Sequence, residues 1–182
     1  MATQTIAKTK WNLDPAHSEI GFKVKHMMIT NVSGSFGKFE VNVETEGIDF
    51  ATASIDFTAD LASISTGNDD RDNHLKSGDF FDATQHPNLK FVSTKIEKKD
   101  QDSLVLHGNL TVKGTTKPVT LDVEYGGIAK DPWGNEKAGF TVTGKINRTD
   151  FNLNWNAALE TGGFLVGEDV KLYAELELVK QI

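Results

Sequence analysis

Apolar and polar residues alternate through most of this chain, and this alternation limits its fold more than any other feature. Ile20, Phe22 and Val24, for example, alternate with Lys23 and Lys25. The same period of two occurs, with one slip of register in 89–96, in segments 20–26, 39–44, 53–61, 89–96, 104–112, 119–125, 138–146 and 170–178. Because successive side chains of a strand point to opposite faces, each segment predicts a half-buried β-strand. The slip in 89–96 predicts a β-bulge.

Two stretches interrupt the alternation. Residues 68–76 begin with acidic side chains and end with Lys76, shortly before Gly78, which predicts a short capped helix. Residues 156–163 end in two glycines and predict a second helical turn. The 182 residues show no linker, internal repeat or low-complexity tract, so we expect one all-β domain with one or two short helices.

Strands with a single apolar face must cover that face, either with a second sheet or by closing into a barrel. About eight long strands favour an eight-stranded antiparallel barrel, whose interior is either filled by side chains or holds one small ligand. Small residues occur at several inward positions, namely Ala53, Ala59, Gly108, Ala138, Gly144 and Ala174. They indicate either a cavity or close packing against bulky partners. Since the inward face carries no cluster of charges, a ligand in such a cavity would be mostly hydrocarbon.

Composition excludes several classes of protein. The chain has no cysteine, which rules out disulfides, thiol catalysis and thiolate metal sites. Its 26 acidic and 19 basic residues give a net charge of −7, which opposes binding to nucleic acid. No apolar run has the length of a membrane span, and residues 1–8 do not resemble a signal peptide. We therefore expect a cytoplasmic protein.

The sequence also lacks the motifs of common enzymes and metal sites. It has no dinucleotide glycine fingerprint, phosphate loop, zinc-protease helix or serine elbow. Asp70, Asp72 and His74 follow one another at two-residue intervals, so a helix would turn Asp72 away from the other two. His17 and Glu19 are too few for a metal site. We expect neither catalysis, a cofactor nor a bound metal.

Five segments carry a resemblance to known proteins, namely DPAHSEIGFKVKH at 14–26, RDNHLKSGDFFD at 71–82, GNLTVKGTTKPV at 108–119, RTDF at 148–151 and VGEDV at 166–170. Through them residues 11–178 resemble the YceI-like family. It implies a lipocalin-like eight-stranded barrel with a short helix, which binds polyisoprenoids or other long-chain amphiphiles in its lumen. Many members of the family are exported, whereas this chain shows no export signal. We expect a disordered extension at 1–10 and a barrel domain at 11–182.

The resemblance and the inward pattern together predict which residues contact a ligand. The predicted lumen residues are Phe22, Val24, His26, Phe39, Val41, Ile55, Phe57, Phe80, Phe81, Phe91, Leu106, Gly108, Leu110, Phe140, Val142, Gly144, Phe151, Leu172 and Ala174. Aromatic rings pack well against a hydrocarbon chain, although each Phe is also explained as ordinary core. Phe80 and Phe81, which follow the predicted helix, are candidates to plug or gate one end of the barrel.

Arg71, Asp72 and His74 are the predicted contacts for a head group at the entrance. A guanidinium suits a phosphate or carboxylate, but neighbouring aspartates also suit a network that pins the helix to the barrel. His26 has two interpretations as well, either a buried histidine with a hydrogen bond or a polar contact near the mouth of the lumen.

The resulting functional hypothesis is non-catalytic binding, sequestration or transport of a long isoprenoid lipid such as a polyprenyl phosphate or a quinone. One alternative ligand is another amphiphile, such as a fatty acid or fatty amide. A second alternative is a packed barrel that acts without a ligand, as an interaction or stress-response module. An enzyme acting on a lipid is the third. The exposed barrel face or edge also allows a homodimer.

Overall fold

The computed structural model describes residues 4–182 as eleven β-strands and one α-helix. The strands are β1 (Lys8–Leu13), β2 (Glu19–His26), β3 (Thr30–Phe36), β4 (Phe39–Glu46), β5 (Asp49–Asp60), β6 (Ile64–Ser65), β7 (Asn88–Lys98), β8 (Ser103–Val112), β9 (Thr115–Lys130), β10 (Glu136–Asn147) and β11 (Val166–Lys180). The helix is α1 (Asp69–Lys76), and 3₁₀ turns occupy Pro15–His17, Leu61–Ser63 and Arg148–Phe151. None of the helices in the described part of the chain has the length and apolarity needed to cross a membrane.

Eight of the eleven strands form a closed antiparallel barrel. The ring runs β1, β4, β5, β7, β8, β9, β10 and β11, and it closes because β1 also pairs with β11. Strand β1 pairs with residues 178–180 of β11, and β2 pairs with residues 166–175 of the same strand. Strands β3 and β6 follow β2 in the same sheet. Thus β1 and β2 lie end to end along β11, separated by the 3₁₀ turn between them. The predicted barrel is confirmed.

Local signals in the sequence account for much of this geometry. In β4, Val41, Val43 and Thr45 are buried and alternate with exposed Glu40 and Asn42, as a period of two requires. The predicted bulge in β7 is confirmed, since the pairing with β8 shifts register between Ser93 and Lys95. At the start of α1, the side chain of Asn68 accepts a hydrogen bond of 3.0 Å from the amide of Arg71, so the predicted capped helix is also confirmed.

The predicted helical turn at 156–163 is wrong. This segment is a loop that folds back on itself, with an isolated bridge between Ala158 and Phe164. Gly162 and Gly163 have φ values of 91° and 83°, and this left-handed backbone makes the turn rather than ending a helix. The predicted disordered extension is wrong for residues 8–10, which belong to β1 and pair with β4. Residues 1–3 lie outside the described residues.

One end of the barrel is filled by side chains. Trp11, Val41, Val43, Phe50 and Ala138 pack there, and Trp11 and Ala138 are completely buried. The rings of Trp11 and Phe50 lie 4.9 Å apart between centroids. Here the small residue Ala138 leaves room for aromatic neighbours, so close packing is the correct explanation for this position.

Candidate functional site

A cavity of about 340 Å³ occupies the rest of the barrel. Its volume falls within the usual range for small-molecule sites. Its walls come from inward side chains of β2–β5 and β7–β11, together with α1, the turn that follows it and the loop before β11. Nearly all of the lining is apolar. Such a space favours a hydrocarbon ligand, because a polar group placed there would lose its hydrogen bonds to water.

Most of the predicted lumen residues line this cavity. They are Phe22, Val24, His26, Val41, Ile55, Phe57, Phe80, Phe81, Phe91, Leu106, Leu110, Val142, Leu172 and Ala174. Val24, Leu172 and Ala174 belong to neighbouring strands and form one continuous strip of wall, since β2 and β11 pair in register there. Whether they bind a ligand stays a prediction.

Five predicted lumen residues lie elsewhere. Phe140 packs at the filled end, 4.8 Å from Phe50 and 5.3 Å from Tyr125 between ring centroids, and Phe39 packs against Phe57. Phe151 is 1% exposed and belongs to a packed cluster next to the cavity. The other two are glycines.

Gly108 and Gly144 do not line the cavity either, because large neighbours already occupy the space above them. A Cβ on Gly108 would overlap the ring of Phe91, and one on Gly144 would overlap Leu121. Their small size therefore makes room for a side chain of the next strand and does not widen the lumen.

The cavity also has lining residues that the sequence analysis did not single out. Leu121 and Ile146 belong to the alternating runs, so their inward position was visible in the sequence. No alternating pattern marked Trp155 as inward-facing, because it lies in the irregular loop between β10 and β11. Its ring contacts His74 of α1 edge-on, with centroids 4.6 Å apart, and lies 5.5 Å from Phe80. This cluster joins the helix to the loop at the end of the barrel opposite Trp11.

Phe80 and Phe81 lie in the turn after α1. The amide of Phe81 donates a hydrogen bond of 3.0 Å to the carbonyl of Leu75, so the chain folds back beneath the helix. Phe80 is 7% exposed, and both rings line the cavity. The predicted position at one end of the barrel is thus observed, and a gating role stays a prediction.

Of the three residues predicted at the entrance, Arg71 and His74 line the cavity and Asp72 does not. The carboxylate of Asp72 accepts hydrogen bonds from the amide and the hydroxyl of Thr66, at 2.8 and 2.6 Å. Arg71 donates to the same hydroxyl at 2.8 Å and to the Thr66 carbonyl at 2.9 Å. Asp72 therefore ties the helix to the segment that follows β6, as the structural interpretation of this motif requires, and a head-group contact of Arg71 or His74 stays a prediction.

His26 lines the cavity at the end of β2 and is half-buried. Its ring forms no hydrogen bond with any residue between 4 and 182, so the interpretation as a hydrogen-bonded core histidine is not supported. His74, by contrast, lies 2.9 Å from Asp79 through Nε2.

Arg148 is a further residue of the cavity wall that the sequence analysis missed as a site. Its side chain is almost entirely buried, and it donates hydrogen bonds to four backbone carbonyls, those of Leu153, Trp155, Val166 and Gly167. These bonds hold the loop before β11 against the barrel. Burial lowers the pKa of the guanidinium, and the charge of Glu168 opposes this shift.

A separate ionic cluster lies beside the ends of β10 and β11. Nζ of Lys137 is 2.7 Å from Asp14 and 2.9 Å from Glu177, and His17 Nδ1 is 2.9 Å from Asp14. The hydrogen bond from Lys137 is the largest cause that lowers the pKa of Asp14 to about 2. Asp14, His17 and Glu177 are close enough to hold a metal ion, but the ammonium group already supplies the counter-charge.

The model of the YceI-like domain family matches residues 11–178. The chain belongs to the YceI-like family. It is 44% identical over 170 residues to a UPF0312 protein of Staphylococcus aureus (strain MSSA476), and the match covers 93% of this chain and 96% of that protein. The resemblance found in the sequence is confirmed.

Solved structures share this YceI-like barrel. A Campylobacter jejuni YceI protein is 35% identical, with a TM-score of 0.75 and complete coverage of both chains. Burkholderia cenocepacia BcnA is 27% identical, with a TM-score of 0.77 over 91% of this chain and 98% of its own. A polyisoprenoid binding domain from Saccharophagus degradans has 14% identity and a TM-score of 0.64, over 94% of this chain and 98% of its own, and it shows the fold alone.

Proposed function

We propose that this YceI-like barrel binds the hydrocarbon tail of a long-chain isoprenoid lipid in its cavity, as a non-catalytic carrier. The observation that carries the proposal is the cavity itself, which is almost wholly apolar, closed at one end by the Trp11 cluster and bordered at the other by polar side chains. A lipid with an apolar tail and a polar head matches this distribution.

Burial of the tail would supply most of the affinity. Each methylene group that leaves water contributes about 0.8 kcal/mol, and ordering of a flexible chain offsets part of this gain. An isoprenoid has few freely rotating bonds for its number of carbons, so it loses less entropy on binding than a saturated chain of equal size. The rings of Phe22, Phe57 and Phe91 in the cavity wall offer flat apolar surfaces for its methyl branches.

The Saccharophagus degradans domain with the same fold is described as polyisoprenoid-binding, which supports this ligand class for the present chain. A fatty acid or fatty amide would satisfy the same apolar walls, and a ligand-free interaction module would need no cavity. The cavity therefore argues against the ligand-free module, the description of the Saccharophagus degradans domain favours the isoprenoid among the amphiphiles, and identification of the bound lipid separates the amphiphiles.

The direct test is titration with a C20 isoprenoid while tryptophan fluorescence is recorded, since Trp155 lines the cavity whereas Trp11 and Trp133 do not. We expect saturable binding that Ala174→Phe weakens at least about tenfold, because a ring at this wall position fills the lumen. Ala129→Phe is the matched control, since Ala129 is exposed on β9 outside the cavity. If both variants bind like the wild type, the cavity is not the binding site.

Native mass spectrometry of the purified protein, followed by extraction of any bound lipid, tests the carrier role. We expect a long-chain lipid near one per chain, recovered chemically unchanged after incubation. Conversion of the lipid would instead show an enzyme. A protein that carries no lipid and binds no isoprenoid in the titration would favour the interaction module.

A further inference from the structure

We propose that the cavity selects amphiphiles whose head group is an anion, a phosphate or a carboxylate, over neutral amphiphiles with the same tail. This inference rests on the proposed function and names the ligand class more narrowly. It comes from the distribution of charge around the cavity, which is opposite in sign to that of the whole chain.

The chain carries 26 acidic and 19 basic residues, yet no Asp or Glu among residues 4–182 lines the cavity. The basic residues in the cavity wall are Lys25, His26, Arg71, His74 and Arg148. In a protein of net charge −7, a random wall of this size would contain several carboxylates. His74 is paired with Asp79 at 2.9 Å, so the two arginines are the cations of the wall on which the inference rests. Low-dielectric walls strengthen their field inside an apolar cavity.

The chain has only two arginines, Arg71 and Arg148, and both are in this wall. Neither forms an ion pair, because every ion pair among residues 4–182 uses a lysine or a histidine. A protein this rich in acidic residues has ample carboxylates to neutralise two guanidinium groups. Because lysines and histidines form the ion pairs instead, neither guanidinium charge is neutralised by a paired carboxylate, and each can attract a phosphate or a carboxylate.

Arg148 shows the charge deficit most clearly. It is 4% exposed, and all four of its hydrogen-bond acceptors are neutral backbone carbonyls. Carbonyl oxygens satisfy the donors but do not neutralise the charge, and Glu168 acts on the guanidinium through space without forming an ion pair with it. An anion that reaches this wall would provide a closer counter-charge without replacing the carbonyls.

Arg71 is more exposed and uses Nε and one terminal nitrogen to contact Thr66, at 2.8 and 2.9 Å. Its other terminal nitrogen has no protein partner among the described residues. The contacts to Thr66 fix the direction of the guanidinium at the cavity wall, and its remaining N–H groups can donate to a head-group oxygen. One fixed arginine and one buried arginine thus line the same cavity.

The experiment compares geranylgeranyl phosphate with geranylgeraniol, which has the same tail and a neutral head. We expect the phosphate to bind at least about tenfold more tightly, a ratio that corresponds to about 1.4 kcal/mol. The preference should shrink as salt is raised, because the interaction is between charges. Hexadecanoic acid and hexadecanamide form a second matched pair, which distinguishes a requirement for any anion from a requirement for phosphate.

Variants locate the preference. Arg71→Gln should reduce the phosphate-to-alcohol affinity ratio at least about threefold, whereas Lys171→Gln, an equal loss of charge on the outside of β11, should leave the ratio unchanged. Arg148→Gln should also reduce the phosphate-to-alcohol affinity ratio, provided that this variant folds. If the Arg148→Gln variant does not fold, the result for Arg71→Gln decides whether the arginines select the anion. Equal affinity for phosphate and alcohol in the wild type, or an unchanged ratio in Arg71→Gln, overturns the inference while the proposed function stands. Failure of both ligands to bind overturns the proposed function.

Discussion

Gly108 of β8 lies directly beneath the aromatic ring of Phe91 of β7. A Cβ at position 108 would overlap that ring and would also stand 2.6 Å from the carbonyl oxygen of Val92. Phe91 lines the cavity, so the missing side chain of Gly108 is what allows this ring to lie in the wall. The glycine shapes the cavity indirectly, through its neighbour.

Gly108→Ala should therefore destabilise the barrel by about 1–3 kcal/mol, the usual cost of overpacking a closed core. The Val92 carbonyl belongs to the backbone and cannot move aside as a flexible side chain can. Gly139→Ala is the matched control, because a Cβ at position 139 meets nothing within 4 Å. Denaturant unfolding of the two variants measures the difference. Equal stabilities would show that Phe91 rotates away at little cost.

The indole N–H of the buried Trp11 has one hydrogen-bond acceptor, the hydroxyl of Thr45. Its indole nitrogen donates a 3.0 Å hydrogen bond to Oγ1 of Thr45, which itself donates to the carbonyl of Gly47 at 2.8 Å. Thr45→Val keeps the shape but leaves the indole N–H buried without an acceptor, so we expect a loss of about 1–3 kcal/mol in unfolding free energy.

A double-mutant cycle checks this explanation. In a Trp11→Phe background the unpaired donor is absent, so Thr45→Val should cost much less than it does in the wild type. Thr45→Ser, which retains the hydroxyl, is the control and should keep most of the stability. Equal costs in both backgrounds would mean that the hydrogen bond between Trp11 and Thr45 contributes little.

The ion pair between Asp14 and Lys137 makes stability depend on acid. The pKa of Asp14 is about 2 in the folded protein against an ordinary value of 3.8, so its carboxylate favours the folded state above about pH 4. This contribution is lost as pH falls from about 4 through 2. Asp14→Asn should therefore be less stable than the wild type at pH 7, and the two should approach each other near pH 2.

Unfolding free energies from pH 7 down to pH 2 test the expected convergence. Glu40→Gln is the control, since Glu40 is an exposed acid that forms no ion pair with the described residues. A gap between wild type and Asp14→Asn that stays constant over this range would assign the loss to hydrogen-bond geometry, such as that of the 3.1 Å bond that the Ala16 amide donates to Oδ1 of Asp14, and not to charge.

The turn between β2 and β3 is strained. Met27 and Met28 have φ values of 52° and 63°, and the amide of Ile29 donates to the carbonyl of His26, which is the geometry of a type I′ turn. This turn strongly prefers Asn followed by Gly. Replacing both residues, Met27→Asn with Met28→Gly, should stabilise the protein by about 1 kcal/mol or more.

Thermal unfolding measures this gain. Ile48→Asn serves as the control, because Ile48 is an equally exposed apolar residue of a hairpin turn whose φ is not positive. A similar rise of the melting temperature in this control would point to a general benefit of removing exposed apolar side chains. An unchanged melting temperature in the double variant would show that the contact between Met28 and Gly163 offsets the strain.

The barrel, the short helix and the apolar character of the inward face were predictable from the sequence, whereas the presence of a cavity was not. These follow from local rules: alternation assigns residues such as Val24 and Leu172 to the inward face, and Asn68 before an acidic turn begins a helix. The segment at 156–163 shows where local rules fail, since two glycines suit a helix end and a reversing loop equally well.

Which part of the barrel is filled and which part is hollow depends on contacts that form only in the tertiary structure. Ala138 and Ala174 are both small inward residues on neighbouring strands, yet Ala138 packs against the Trp11 cluster and Ala174 lines the cavity. The difference depends on which side chains meet across the lumen, and these come from strands far apart in the sequence. For the same reason Trp155 and Arg148 became visible as cavity residues only once the loop before β11 was folded against the barrel.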